Sequence, residues 1–411
     1  MQNKQYTLTR KASYLGYVIQ AVVNNLLSLL FVIFNAQPYG ISVERLGRLV
    51  FINFMAQLVI DALSMYIVPR FGYRKCVISA QFCSGVGFVL LGILPRVMDP
   101  YAGIVIAMLF LAVGSGFIEV LISPIIEALP SDNKAGSMSF LHSFYSWGQA
   151  LTVSVTTLLL LLIGREHWYW LPFFWSVLPF VNTCLFAKAD ILELRADREN
   201  ASGRFSVLGS GKFYVFLLLM LCAGASEIAM VQWSSFFVEV GFSVPKWIGD
   251  LLGPCMFAIL MGLGRMLYGL FGNRIPVLRV ITVSALVCIG CYLLVAFSNS
   301  SVLSVIGCAV CGLSISVMWP GTLSLASACF KQGGSALFSM LAMFGDLGCA
   351  LGPWLLGMVS DLADASGVSQ RYAAAFGLGG GQPGMQLGFL AVSVFPLMML
   401  TVLLLARRRI K

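Results

Sequence analysis

The feature that most constrains this chain is its succession of apolar blocks twenty or more residues long, such as 76–95 and 384–406. About 20 apolar residues in a helix match the roughly 30 Å hydrocarbon core of a bilayer. Water is absent there, so every backbone polar group must be satisfied within the protein, which only helices and closed barrels achieve. The blocks are continuous and do not alternate as ten-residue strands would, so they select helices. Composition agrees: 59% of residues are hydrophobic and 10% are charged, whereas a soluble domain is nearer half apolar and a quarter charged. The pattern predicts twelve helices, at 12–36, 44–69, 75–95, 101–128, 137–163, 168–188, 212–238, 247–272, 278–297, 301–329, 334–361 and 384–406. No cleavable signal peptide is expected, because Met1 to Lys11 is polar and no small-residue cleavage site follows a short apolar core.

The net charge of +9 raises the question of a nucleic-acid partner. The basic residues lie between apolar segments and form no arm or surface helix, so none is expected. Their distribution instead sets orientation. With the N-terminus inside, nineteen Lys and Arg fall on the inner side and six (Arg45, Arg48, Arg96, Arg165, Lys246 and Arg371) on the outer side. Both termini are therefore expected in the cytoplasm of a plasma (inner) membrane protein, which requires an even number of helices. Cys288, Cys291, Cys308 and Cys311 form a C-x2-C…C-x2-C pattern. In a soluble chain that spacing suggests zinc. Here it falls inside two apolar helices, where small residues three apart mark close packing. No metal and no cofactor are expected.

The longest polar stretch, Lys188 to Lys212, carries nine charges in twenty-five residues. It divides the chain into an N-terminal six-helix bundle (1–188), a cytoplasmic linker (189–211) and a C-terminal six-helix bundle (212–411). A second irregular stretch, Asp364 to Gly384, reads as a flexible outer loop. The halves resemble each other. Gly40-Ile-Ser-Val follows helix 1 and Gly241-Phe-Ser-Val follows helix 7. Asp61 and Arg70, nine apart, are echoed by Arg265 and Arg274. Leu141 to Ala150 ends Trp-Gly-Gln-Ala, and Met340 to Ala350 ends Leu-Gly-Cys-Ala. The expectation is an all-α polytopic membrane protein of twelve transmembrane helices in two six-helix pseudo-repeat bundles. Such repeats place a binding site at the midplane.

Arg70-Phe-Gly72-Tyr-Arg74-Lys75, between helices 2 and 3, resembles the cytoplasmic loop motif of the major facilitator superfamily, with Pro69 where the family usually has Asp. Within that superfamily the chain is similar to the fucose permease branch of sugar–proton symporters. Glu119 and Pro124, five apart in helix 4, carry that branch's spacing. Leu141-His142-Ser-Phe144-Tyr145-Ser-Trp-Gly148 resembles its helix-5 segment, with His142 and Tyr145 at its substrate-side positions. The branch's helix-1 acid has no counterpart here. Helix 1 offers Gln20, Asn24, Asn25 and Asn35 instead. The resemblance implies the major facilitator fold and proton-coupled solute transport.

Ionisable groups in a membrane core are costly and point to function. Glu119, Glu227 and Asp346 are the candidate proton-coupling groups, since a carboxyl in an apolar surround can exchange a proton as the two sides open in turn. Asp61, Arg70, Arg74 and Arg265 are candidate gating residues. Arg265 lies within a helix, needs an acid partner, and could find it in Asp346 or Glu227. Sugars require amides and acids for their hydroxyls and an aromatic face to stack on. Gln20, Asn24, Asn25, Gln57, His142, Tyr145, Gln149, Gln232, Trp233 and Trp319 are the candidate substrate-binding residues. Each taken singly could instead serve helix packing or, for the tryptophans, the membrane interface. Pro124, Pro254, Pro320 and Pro353 are expected to kink helices 4, 8, 10 and 11.

These features point to a secondary active transporter, a monomer in the lipid bilayer, that takes up a small polar solute such as a sugar with protons. The alternative is a proton-driven exporter of drugs or lipids. An intramembrane enzyme is disfavoured, since the chain has two histidines and neither HExxH nor GxSxG. A receptor without transport would bring a signalling domain, and none is evident.

Overall fold

The computed structural model describes residues 6–30, 33–34, 38–41, 43–192, 206–242, 246–331, 333–378 and 382–410, which form helices and connecting turns with no strand. The chain divides into two compact units. The first comprises Met1–Val207 and Phe330–Met343, and the second Leu208–Cys329 and Phe344–Lys411.

In the first unit, α1 (Thr7–Leu29), α2 (Val43–Phe71), α3 (Tyr73–Val97), α4 (Pro100–Ala128), α5 (Lys134–Ile163) and α6 (Trp170–Lys188) follow one another. In the second come α7 (Gly211–Phe242), α8 (Trp247–Phe271), α9 (Val277–Phe297), α10 (Ser301–Cys329), the part of α11 (Gly334–Ala365) from Phe344 onward, the short α12 (Val368–Phe376) and α13 (Pro383–Leu405), the start of α11 belonging to the first unit. Among the described residues, eleven helices are long and apolar enough to cross a membrane. The twelfth long helix, α1, is the polar exception. It spans 23 residues, and its Thr9, Ser13 and Gln20 are buried. A helix that hides polar groups inside a bundle is already a candidate site wall.

Two sequence expectations need correction. Helix 1 was expected at 12–36 but runs from Thr7 to Leu29. Near its end Asn25 Nδ2 donates to the Ala21 carbonyl and Ser28 Oγ to the Asn25 carbonyl. Such side-chain bonds compete with the helical ladder. Residues 31–32 and 35–37 lie outside the described residues. The Asp364–Gly384 stretch, expected to be a flexible loop, contains α12. Glycines with positive φ bracket it, Gly367 (71°) and Gly377 (65°), as helix ends favour. Tyr372 donates to the Ala296 carbonyl at 3.0 Å, and Phe376 meets the Phe297 ring at 4.9 Å. Burial pushes the Tyr372 phenol up to about 12, so it remains a donor across physiological pH. The four prolines occupy different settings. Pro254 sits in a π turn, Leu251–Cys255, inside α8, and α10 breaks between Ile315 and Met318 just before Pro320. Pro124 and Pro353 lie within continuous helices.

The repeat is visible in packing. A Cβ on Gly148 of α5 would meet Val18 Cα of α1 at 2.8 Å, and one on Gly348 of α11 would meet the Leu221 carbonyl oxygen of α7 at 2.0 Å. These are the glycines of the matched Trp-Gly-Gln-Ala and Leu-Gly-Cys-Ala segments. In each unit the fifth long helix lies directly on the backbone of the first, as small residues permit in membrane bundles. The two cysteine pairs meet across α9 and α10, where the Cys288 and Cys311 Sγ atoms are 3.9 Å apart. All eleven cysteines are free, and no group of three or more His, Cys, Asp or Glu among the described residues could hold a metal.

Candidate functional site

In the first unit, α1, α2, α4 and α5 bring polar side chains together in three adjoining groups. Gln20 Nε2 donates to Glu119 Oε2 at 2.8 Å. Asn24 Oδ1, one turn further along α1, accepts from Gln57 Nε2 at 3.3 Å and from Asn53 Nδ2 at 3.5 Å. Ser115 Oγ donates to Gln57 Oε1 at 2.8 Å. In the other direction, Tyr17 Oη lies 2.8 Å from Ser123 Oγ and 3.2 Å from His142 Nε2. The groups follow helical spacing. Residues 17, 20 and 24 line one face of α1, and 115, 119 and 123 line one face of α4. Side chains three or four apart on a helix are neighbours, so the two stripes face each other rung by rung.

Of the predicted residues, this arrangement joins Gln20, Asn24, Gln57, His142 and Glu119. Gln149 is buried on α5 and Tyr145 half-buried. The amide of Asn25 is used on its own helix. Sequence reasoning passed over Tyr17, Asn53, Ser115 and Ser123 as site residues. The signal was available in the four-residue spacing of polar groups, Asn53-Gln57-Asp61 on α2 and Ser115-Glu119-Ser123 on α4.

The gating candidates separate by burial. Asp61 is fully buried on α2, and Ser64 Oγ donates to its carbonyl at 2.6 Å while bonding Ser339 Oγ at 2.7 Å. Arg70 and Arg74 are exposed. Arg74 donates from Nη1 to the Ala187 carbonyl at 2.8 Å and from Nη2 to the Ala189 carbonyl at 2.6 Å. It thus closes the C-terminal end of α6, where carbonyls lack helical partners.

In the second unit the central feature is a buried ion pair. Arg265 Nη2 is 3.0 Å from Glu227 Oε2, with Arg265 2% and Glu227 7% exposed. Arg265 Nε also donates to the Ser316 carbonyl at 2.9 Å. That carbonyl is available for a reason written in the sequence. In a continuous helix it would accept from the N–H of residue 320, and Pro320 has none. The break before Pro320 thus supplies the second acceptor that a buried guanidinium needs. Glu227, one of the two acids that the sequence offers to Arg265, is paired with it.

Asp346 is buried on α11, next to Gly345, on which the Trp319 indole lies. Trp233 Nε1 donates to the Pro353 carbonyl at 3.1 Å, so its N–H ties α7 to α11. Gln232 is exposed. In chemical terms, the first unit offers amides, hydroxyls and a carboxyl suited to hydroxyl-rich solutes, and the second a carboxylate held by a fixed cation.

The family model described as Major Facilitator Superfamily matches residues 13–353. No curated protein matches the chain in sequence. Among solved structures, the chain is similar to the E. coli fucose:proton symporter FucP, at 15% identity and a TM-score of 0.74, over 96% of this chain and 99% of that one. It is similar to the proton:xylose symporter XylE at 14% identity and a TM-score of 0.80, over 100% and 97%. It is also similar to the human organic anion transporter TETRAN at 16% identity and a TM-score of 0.71, over 97% and 99%. At such identities the likeness shows the fold alone.

Proposed function

The chain belongs to the major facilitator superfamily, so it is a membrane transporter and not an enzyme, and from that premise we propose that it takes up a small polar solute such as a sugar together with protons, by alternating access around a midplane site. The observation that carries this reading is the amide, hydroxyl and carboxyl cluster of the first unit: Gln20 on Glu119, with Asn24, Asn53, Gln57 and Ser115 alongside. Such groups match the alternating donors and acceptors of a polyol. A drug or lipid exporter would need mainly apolar and aromatic walls.

In this reading Gln20, Asn24, Asn25, Gln57, His142, Tyr145 and Gln149 serve the solute from the first unit, and Gln232, Trp233 and Trp319 from the second. Glu119, Glu227 and Asp346 carry the proton coupling. Glu227 has a fixed counter-charge in Arg265. Protonation of Glu227 would weaken its attraction to Arg265, which gives the proton a lever on the contact between α7 and α8. Asp61, Arg70, Arg74 and Arg265 serve the gating movements. The protein works as a monomer in the plasma (inner) membrane with both termini in the cytoplasm.

The test is uptake of L-fucose and D-xylose into proteoliposomes with and without an inward proton gradient. Gradient-driven accumulation is expected for at least one sugar or a related polyol, with matched alkalinisation outside. Glu119→Gln and Glu227→Gln are expected to abolish accumulation. Uptake unchanged by both substitutions and by gradient collapse would overturn the coupling. Drug sensitivity of cells lacking the protein, with no uptake defect, would favour the exporter.

A further inference from the structure

We propose that His142, seated between Tyr17 and Ser123, is a proton-binding site of the first unit. The proposal rests on the proton-coupled reading above for its role in transport, while the site itself rests on geometry. His142, Tyr17 and Ser123 are 4%, 2% and 1% exposed. Tyr17 Oη is 3.2 Å from His142 Nε2, Ser123 Oγ is 3.4 Å from the same nitrogen, and the two hydroxyls are 2.8 Å apart.

A buried imidazole that serves only packing needs one fixed set of partners. This one faces two hydroxyls, each able to donate or accept by turning one O–H bond. With Nε2 bare, Tyr17 donates to it and Ser123 donates to Tyr17. With Nε2 protonated, the imidazolium N–H donates to the Tyr17 oxygen and Tyr17 donates to Ser123. The contacts at Nε2 thus suit either protonation state through rotation of O–H bonds alone. In addition, the Tyr17 ring lies against the imidazole, with centroids 4.6 Å apart and planes tilted by 43°, where an aromatic face favours a cation.

The charged and titratable groups on the elements packed against His142 are of both signs. From α1 come Tyr17 and Tyr14, with Arg10 and Lys11 at the start of that helix. Glu119 comes from α4, one turn from Ser123 and bonded to Gln20, with Glu127 at the far end. On α5 itself are Tyr145 and, two turns away, Lys134. The turn Arg165–His167 packs at the opposite end of α5, about 35 Å from His142 at 1.5 Å per residue. Glu119 is thus the nearest acidic group in sequence register, on the same helix as Ser123 and bonded to Gln20 on the helix of Tyr17.

The chain has two histidines, which makes a direct test possible. Full-length protein carrying 13C,15N-histidine in lipid nanodiscs gives two imidazole signals. His167, whose side chain is 49% exposed, is the internal reference, assigned by His167→Asn. The ordinary imidazole value is about 6.5, so a titration over about pH 5 to 9 covers it. The expected result is a reversible titration of His142 whose midpoint moves in Glu119→Gln and in Tyr17→Phe, while His167 is unaffected. A His142 signal locked in one neutral form across that range overturns the proposal. So does a His142 midpoint indifferent to both substitutions. None of these readings depends on a substrate. If neither L-fucose nor D-xylose is transported but His142 titrates as stated, the sugar reading fails and this one stands. If sugar uptake is proton-driven and its pH profile is unchanged in His142→Gln, His142 has no part in coupling.

Discussion

At the residue scale, the buried Glu227–Arg265 pair governs the second unit. Breaking such a pair by removing one member costs about 3–5 kcal/mol, whereas replacing both with apolar residues of similar volume is close to neutral. Glu227→Leu and Arg265→Met should therefore each lower the unfolding temperature of the purified protein clearly, and the double variant should recover most of the loss. Strictly additive losses would show that the pair is not coupled. The sequence made half of this legible. A lone arginine in an apolar helix demands an acid, but Glu227 and Asp346 were equally available along the chain. Only the fold, by setting α8 against α7 and against the α10 break, brings Glu227 within 3.0 Å of the guanidinium. In the first unit, Ser115→Ala should strand Gln57 Oε1 and cost about 1–3 kcal/mol, read by denaturant unfolding. A loss near zero would mean that another donor reaches Gln57.

At the element scale, close helix packing depends on particular glycines. A side chain on Gly348 would strike the Leu221 carbonyl, while Gly290 on α9 has nothing within 4 Å of a built Cβ. Gly348→Val is expected to destabilise by about 1–3 kcal/mol or more through overpacking. Gly290→Ala should be neutral or stabilising by about 0.5–1 kcal/mol, because alanine loses less backbone freedom than glycine in a helix. Thermal unfolding of the two variants side by side checks both. Likewise, Tyr372→Phe removes the bond that holds α12 to the end of α9. Hydrogen exchange at residues 368–376 should rise about five- to tenfold, in line with about 1 kcal/mol for one hydrogen bond. The spans of most long helices were legible because their apolar length is set by the bilayer. The end of α1 and the presence of α12 were not. The first depends on local side-chain bonds and the second on a docking surface provided by Phe297 and Ala296, far away in sequence.

At the scale of the whole molecule, the charge bias predicts that both ends lie in the cytoplasm. A fluorescent reporter fused after Lys411 should be active inside the cell, and a periplasmic reporter at the same point inactive. The opposite result would overturn the orientation. The sequence by itself determined that the chain spans a membrane as helices, because unbroken apolar stretches of bilayer length admit no other satisfied backbone. Its internal echoes also determined that it is built twice over, since a duplicated unit keeps its packing glycines in register. Tertiary structure alone decided which polar groups meet. Polar residues on separate helices carry no mark of their partner. The crossing of α1 with α4 and α5 brings Gln20 to Glu119 and Tyr17 to His142, as the break before Pro320 brings Ser316 to Arg265. In a medium without water each of those groups had to find a partner, and the fold chose which.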